Sequence, residues 1–320
     1  MDVKKILPIV GIIILIYLLS TVDIPSVLTI FSSIPPLYAF LCLFSVVPLL
    51  ISTNIQWQLI LKKQKIRVSF WYSIKNIFIG YFYGFITPGG FGAYIKSLYL
   101  KHESGQPLPK CLSNIITFNT LDFLSLLVLG VIGSFFLSSR FPYLFVTIAL
   151  VSVVVASLFI FFLRKNKSKV LFTKIVQSNI FSVVKDRLED PPETFYENLP
   201  TFRDMLLPFL LSIIGWIIRF TELYLISLLF DIHVPYLSFI FIVAVADVVA
   251  SLPISIYGLG TRDATFISLF TIYAVTSEKI IALSLFWYAV IWLLPSVIGA
   301  IITAFEHRKL TEKPLKTQKI

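Results

Sequence analysis

The sequence predicts an all-α fold: a polytopic integral membrane helix bundle with two inverted-repeat-like halves, each holding a re-entrant or broken helical hairpin. Three observations carry this. The 320 residues are 57% hydrophobic and only 14% charged, with a mean hydropathy of +0.89, far more apolar than a soluble core requires. Apolar runs of about 18 residues or more recur along the whole chain, the length that one helical crossing of a ~30 Å hydrocarbon layer needs; the short alternating strands of a β-barrel are not seen. Two apolar stretches are interrupted by proline and glycine, "TPGGFG" at 87–92 and "LPISIYGLG" at 252–260.

In chain order, the first helix spans about 6–22 and follows Lys4 and Lys5. The residues after it, "STVDIPSVL", contain no small-residue cleavage pattern, so it reads as an uncleaved helix. A second helix at about 37–60 ends at the basic knot "KKQKIR" (62–67). Segment 68–100 is aromatic and apolar but broken; unpaired backbone cannot face lipid, so it is buried in protein or lines a cavity. Helices follow at about 112–137 and 143–163. Residues 164–204, with "RKNKSK" and "EDPPE", are polar and too short for a folded domain. The second half holds a helix at about 205–230, a broken segment at 236–276 and a last helix at about 279–304. The organisation is therefore an N-terminal membrane half (1–163), a cytoplasmic linker (164–204), a C-terminal membrane half (205–304) and a basic tail (305–320).

The net charge of +10 does not call for nucleic acid, because lysine and arginine also hold loops on the cytoplasmic side. With both termini inside, the cytoplasmic loops carry 21 Lys and Arg and the outer loops carry 2, Arg140 and Lys279. That bias orients the chain as a multi-pass protein of the cell membrane. It also has 68–100 dip from the cytoplasm, and 236–276 dip from, or cross and return to, the outer face. Cys42 and Cys111 form no disulfide framework, and His102, His233 and His307 lie apart, so no metal or other cofactor is expected.

Eight charged residues fall within or beside the spans: Lys75, Lys96, Arg219 and Arg262, with Asp122, Glu222, Asp247 and Asp263. Each costs about 2.5–3.5 kcal/mol at a helix centre, so they should face inward and meet one another. Arg219 and Glu222, three apart on one helix, can neutralise each other. Asp122 has no sequence-local partner and should pair with a base from another helix. Lys75 and Asp247 lie near span boundaries, where snorkelling explains them.

The two broken segments align. Gly90-x-Gly92 matches Gly258-x-Gly260, with an upstream proline (Pro88, Pro253) and a downstream base (Lys96, Arg262). A break exposes a helix N-terminus, whose free N–H groups and dipole favour an anion; the neighbouring base adds a full charge, and glycine allows close approach. The competing reading is ordinary small-residue helix packing, with Arg262 and Asp263 an interfacial pair at a loop tip. The substrate-binding set is Lys96, Arg262, Asp263, Asp122, Gly90, Gly92, Gly258, Gly260, Arg219 and Glu222.

At "TPGGFGAYIKSLYL", "NTLDFLSLL" and "LPISIYGLGTRDATF" the chain, over about 5–305, resembles the lysylphosphatidylglycerol synthase transmembrane-region family, which includes the flippase part of the multiple peptide resistance factor. The third motif matches at Pro253, Gly258, Gly260, Arg262 and Asp263. The family usually carries an acid after the first glycine turn where this chain has Ala93, and with only the basic tail "EHRKLTEKPLKTQKI" after the last helix the chain is not expected to synthesise lysyl-lipid. The resemblance implies subdomains built around re-entrant helices and movement of a lipid with a charged or sugar-bearing head group between leaflets.

The leading expectation is thus a flippase-like protein, not an enzyme, acting on a membrane lipid with an anionic or phosphate-bearing head group. A nucleotide-binding "GxxxxGK[ST]" loop is not found. The alternatives are a membrane transferase acting on a lipid phosphate, and a non-catalytic subunit in envelope lipid or glycan assembly. For the transferase, Asp122, Asp247 and Asp263 are too scattered for a magnesium site. A homo-oligomer or a lipid-modifying enzyme partner is compatible with either non-enzymatic reading.

Overall fold

The computed structural model describes residues 16–20, 22–163, 192–252, 255 and 257–312. The expectations for residues 1–15, 164–191 and 313–320, and for Pro253, lie outside them. The described residues are predominantly helical, with no strand: α1 Ile24–Ser33, α2 Pro36–Leu43, α3 Val46–Lys63, α4 Phe70–Phe85, α5 Lys96–Ser104, α6 Leu108–Phe136, α7 Pro142–Leu163, α8 Phe202–Leu229, α9 Tyr236–Ala250, α10 Thr261–Phe270, α11 Ser277–Tyr288 and α12 Leu294–Glu312. Among them, five stretches are long and apolar enough to cross a membrane: Pro36–Lys63, Leu108–Phe136, Pro142–Phe161, Phe202–Leu229 and Ser277–Glu306. The chain is a multi-pass membrane protein.

Local chemistry sets the helix ends. Ser69 caps α4 by accepting from the Tyr72 N–H at 3.1 Å. Thr201 and Asp204 cap α8 reciprocally, the Asp204 N–H donating to Thr201 Oγ1 at 3.4 Å and the Thr201 N–H to Asp204 Oδ2 at 3.1 Å. Helix α3 stops at Lys62 and Lys63, where Lys65 turns the chain with φ 57°. Helix α1 is an element that the sequence reading passed over: it starts at Ile24-Pro25, and proline in the first turn gives up only an N–H that would be unpaired anyway.

The hairpins enter the bundle from opposite ends. Lys63 Nζ, at the end of α3, pairs with Asp204 at the start of α8 at 2.7 Å, so α4 begins beside the start of α8. Helix α9 begins near its other end, where the Tyr236 hydroxyl lies 2.7 Å from that of Thr221, roughly 28 Å along α8 at 1.5 Å per residue. Lys75–Glu306 at 3.9 Å and Lys110–Glu197 at 4.0 Å lie at the first end, and Lys279–Asp231 at 2.6 Å at the second. Close glycine contacts hold the hairpins to the long helices. Gly133 of α6 lies against the Phe241 backbone of α9, and Gly299 of α12 against the Phe78 carbonyl of α4, each leaving no room for a Cβ.

Candidate functional site

In the first hairpin, α4 ends at Phe85 and a 3-10 helix, Pro88–Ile95, runs directly into α5. Thr87 Oγ1 donates to the Tyr83 carbonyl and accepts the Gly92 N–H, both at 2.7 Å, while Gly90 takes a left-handed φ of 71°. Glycine is required at position 92 because a Cβ would overlap the Tyr83 carbonyl. No open helix N-terminus precedes Lys96, since the chain is already helical there. The Lys96 stem instead lies over Gly80, and its ammonium sits 5.5 Å from the Trp57 ring centroid and 5.3 Å from that of Phe118. The residue is 7% exposed and its ammonium has no hydrogen-bond or ion-pair partner among the described residues. Cation–π contact and the nearby Asp122 charge are the compensation it receives.

In the second hairpin, Tyr257, Gly258 and Gly260 all have positive φ, at 49°, 81° and 84°. This unwinds the chain between α9 and α10. The start of α10 is then filled from within: Asp263 Oδ2 accepts the Gly260 N–H at 2.7 Å, and its other oxygen accepts from the Ser284 hydroxyl. The helix end expected to hold a ligand's anion thus already holds a side-chain carboxylate. Arg262, 2% exposed, lies between the Phe266 and Tyr288 rings, its guanidinium carbon 5.8 and 5.9 Å from their centroids. Its terminal nitrogen reaches Ser284 at only 3.4–3.5 Å, and its Nε has no partner. The buried guanidinium thus keeps unused hydrogen-bonding capacity.

The hairpin tips meet around a cavity of about 360 Å³, within the range of small-ligand sites. Lys96 of α5, Arg219 of α8 and Arg262 of α10 line it, as do Asp122 of α6 and Asp247 of α9. The Arg219 guanidinium stacks at 4.4 Å over the Trp216 ring and reaches the Tyr81 hydroxyl. Ser212 donates to Asp122 Oδ1 at 2.8 Å, and Lys96 and Arg219 are both near enough to Asp122 to act on its charge. Tyr257 closes the contact between the hairpins. Its ring stacks on Trp292 at 4.0 Å, its hydroxyl lies at Gly84 of α4, and its edge covers Gly90. Trp292 is carried by a π-helical turn, Ala289–Leu293, a distortion frequent at functional sites.

Of the ten residues singled out from sequence, Lys96, Arg219, Arg262, Asp122 and Gly90 line the cavity. Gly92, Gly258 and Gly260 shape the turns behind it, and Asp263 braces α10. Glu222 does not line the cavity; its Oε2 is buried without a hydrogen-bond partner, and Arg219 is its electrostatic neighbour. Two lining residues were missed. Asp247, by its sequence position a snorkelling boundary residue, lies one turn before the α9 break, opposed by Arg262 and Arg219. Tyr257 stands just before a glycine, which in sequence is no signal at all. Ala93, where the family carries an acid, presents a methyl group to the cavity. No group of three or more His, Cys, Asp or Glu among the described residues could hold a metal ion.

The sequence is 22% identical to a UPF0104 membrane protein of Methanocaldococcus jannaschii, with 97% of each chain covered. It is 23% identical to a UPF0104 membrane protein of Pyrococcus horikoshii over 80% of this chain and 83% of that one. Residues 6–299 match the family described as the lysylphosphatidylglycerol synthase TM region. Because that match spans nearly the whole chain, this protein belongs to the lysylphosphatidylglycerol synthase transmembrane-region family.

Proposed function

We propose that the cavity receives the phosphate-bearing head group of a membrane lipid and carries it between leaflets, a flippase-like activity. The observation behind this is the convergence of Lys96, Arg219 and Arg262, from three different helices, on one cavity. A cation within a membrane protein is costly unless it has a task. Lys96 lies among aromatic rings with Asp122 as an electrostatic neighbour but no carboxylate hydrogen-bonded to it, and a phosphate would supply that partner. The aromatic walls suit the apolar glycerol or prenyl portion next to that phosphate.

The same reading takes the two halves as inverted repeats around the site, as in many transporters. It places the protein in the cell membrane with the Lys63, Lys75 and Lys110 end, and both termini, on the cytoplasmic side. Any homo-oligomer or lipid-modifying partner would meet the chain on the bundle's exposed apolar exterior. A membrane transferase is less well supported, because the cavity's two carboxylates are each engaged with bases rather than grouped for metal or general-base chemistry.

The test is reconstitution into liposomes containing fluorescently labelled phosphatidylglycerol, with a membrane-impermeant reductant added outside. The wild-type protein should expose inner-leaflet label within the assay, and Lys96→Met should slow that step at least about tenfold, equivalent to ~1.4 kcal/mol. Wild-type rates equal to those of protein-free liposomes would refute the activity.

A further inference from the structure

Asp122 faces two spaces. On one side it lines the large cavity with Lys96 and Arg219. On the other it lines a small pocket of about 10 Å³ between α3 and α8, together with Gln56, Ser52, Ser212 and Arg219. That volume is close to what one water molecule occupies. The lining is polar, and Gln56, only 2% exposed, has an Nε2 with no hydrogen-bond partner. A water there would accept from Gln56 and donate to the Asp122 carboxylate, satisfying both groups.

The charges around Asp122 are Lys96 from α5 and Arg219 from α8, with the Tyr81 hydroxyl of α4 also close by. Asp247 of α9, the other cavity carboxylate, is opposed by Arg262 and Arg219. A phosphate entering the large cavity takes Lys96 and Arg219 as its own counter-ions. Asp122 is then left as an anion beside another anion, away from bulk water, a situation that a carboxylate relieves by binding a proton.

We infer that Asp122 is a proton-coupling site: it takes up one proton when an anionic head group enters and releases it when the head group leaves. The inference rests on the lipid-phosphate reading above. The step is Asp122–COO⁻ plus H₃O⁺ giving Asp122–COOH plus water, with the proton arriving by way of the small pocket. That pocket touches Asp122 and is lined without Lys96 or Arg262. A proton gradient across the membrane would thereby bias the direction of lipid movement, without nucleotide hydrolysis.

Linkage makes this measurable, because uptake of one proton on binding makes affinity rise tenfold per unit fall in pH wherever the free site is ionised. The purified protein in neutral detergent is titrated with short-chain phosphatidylglycerol between pH 5.5 and 8.5, read by the fluorescence of the cavity tryptophans Trp216, Trp287 and Trp292. Short-chain phosphatidylcholine serves as the comparison, and a pH dye in weak buffer counts protons taken up. The expected result is about one proton per phosphatidylglycerol bound and a dissociation constant that tightens toward acid. That slope should be lost in Asp122→Asn and kept in Asp122→Glu, which retains a titrating carboxyl. Phosphatidylglycerol binding with no proton uptake, or with the same slope in Asp122→Asn, overturns the coupling but leaves the lipid reading standing. Failure of wild-type protein to bind phosphatidylglycerol at any pH overturns both.

Discussion

The contact between Tyr257 and Gly84 joins the two hairpin tips, and Gly84→Ala perturbs it with one methyl group. A Cβ there would overlap the Tyr257 hydroxyl and lie 2.9 Å from its Cζ. The ring cannot retreat freely, because it stacks on Trp292 at 4.0 Å and its backbone is fixed at φ 49°. Overpacking of this kind costs about 1–3 kcal/mol. Tyr257→Leu alone loses the ring stacking, about 0.5–1.5 kcal/mol beyond buried area, but it also vacates the space that the new methyl would need. The double variant should therefore be more stable than the sum of the single effects by at least about 1 kcal/mol, a coupling expected only of touching side chains. The assay is denaturant unfolding in detergent micelles, followed by tryptophan fluorescence and repeated on all four proteins. Additivity to within about 0.5 kcal/mol would show that the tips do not meet at these residues.

Two further outcomes follow from groups at opposite ends of the bundle. Thr201→Ala removes one half of the α8 capping box and should cost ~1 kcal/mol in the same unfolding assay, whereas Thr201→Ser should cost far less. Asp231 accepts a hydrogen bond from Lys279 Nζ at 2.6 Å, which holds its carboxyl below the usual range. A lowered folded-state value means the pair's contribution is present above the unfolded carboxyl's ~3.9 and is lost as pH falls through the folded value. The thermal midpoint should accordingly fall more steeply below about pH 4 in wild-type protein than in Lys279→Met, and identical acid profiles would refute the pairing.

Much of the bundle was legible because its signals are local. A hydrophobic run long enough to cross lipid reports itself by length alone, as at Leu108–Phe136 and Phe202–Leu229. Lys96 and Arg262 were recognisable for a related reason: a base just after a proline-glycine break has to be sheltered by something. Asp263 was also legible as a residue that matters, but its direction was not. Its place three residues after Gly260 lets it cap its own helix, and only the backbone turn of 257–260 shows that it does so. Asp247 failed in the opposite way. Counted along the chain it looks interfacial, and it becomes a cavity residue because α9 stops one turn later and returns as α10.

The sequence by itself determined that this chain is a multi-pass helical membrane protein, with two interruptions in its apolar stretches and a handful of charges that lipid would not tolerate. Those properties follow from the bilayer acting on each short segment independently. Which charges share a space was decided only by the tertiary structure. Lys96, Asp122, Arg219, Asp247 and Arg262 come from five different helices, and their convergence depends on the glycine contacts that set how closely α4, α6, α9 and α12 approach. Distances between segments far apart in the chain are set by packing, and no local pattern encodes them.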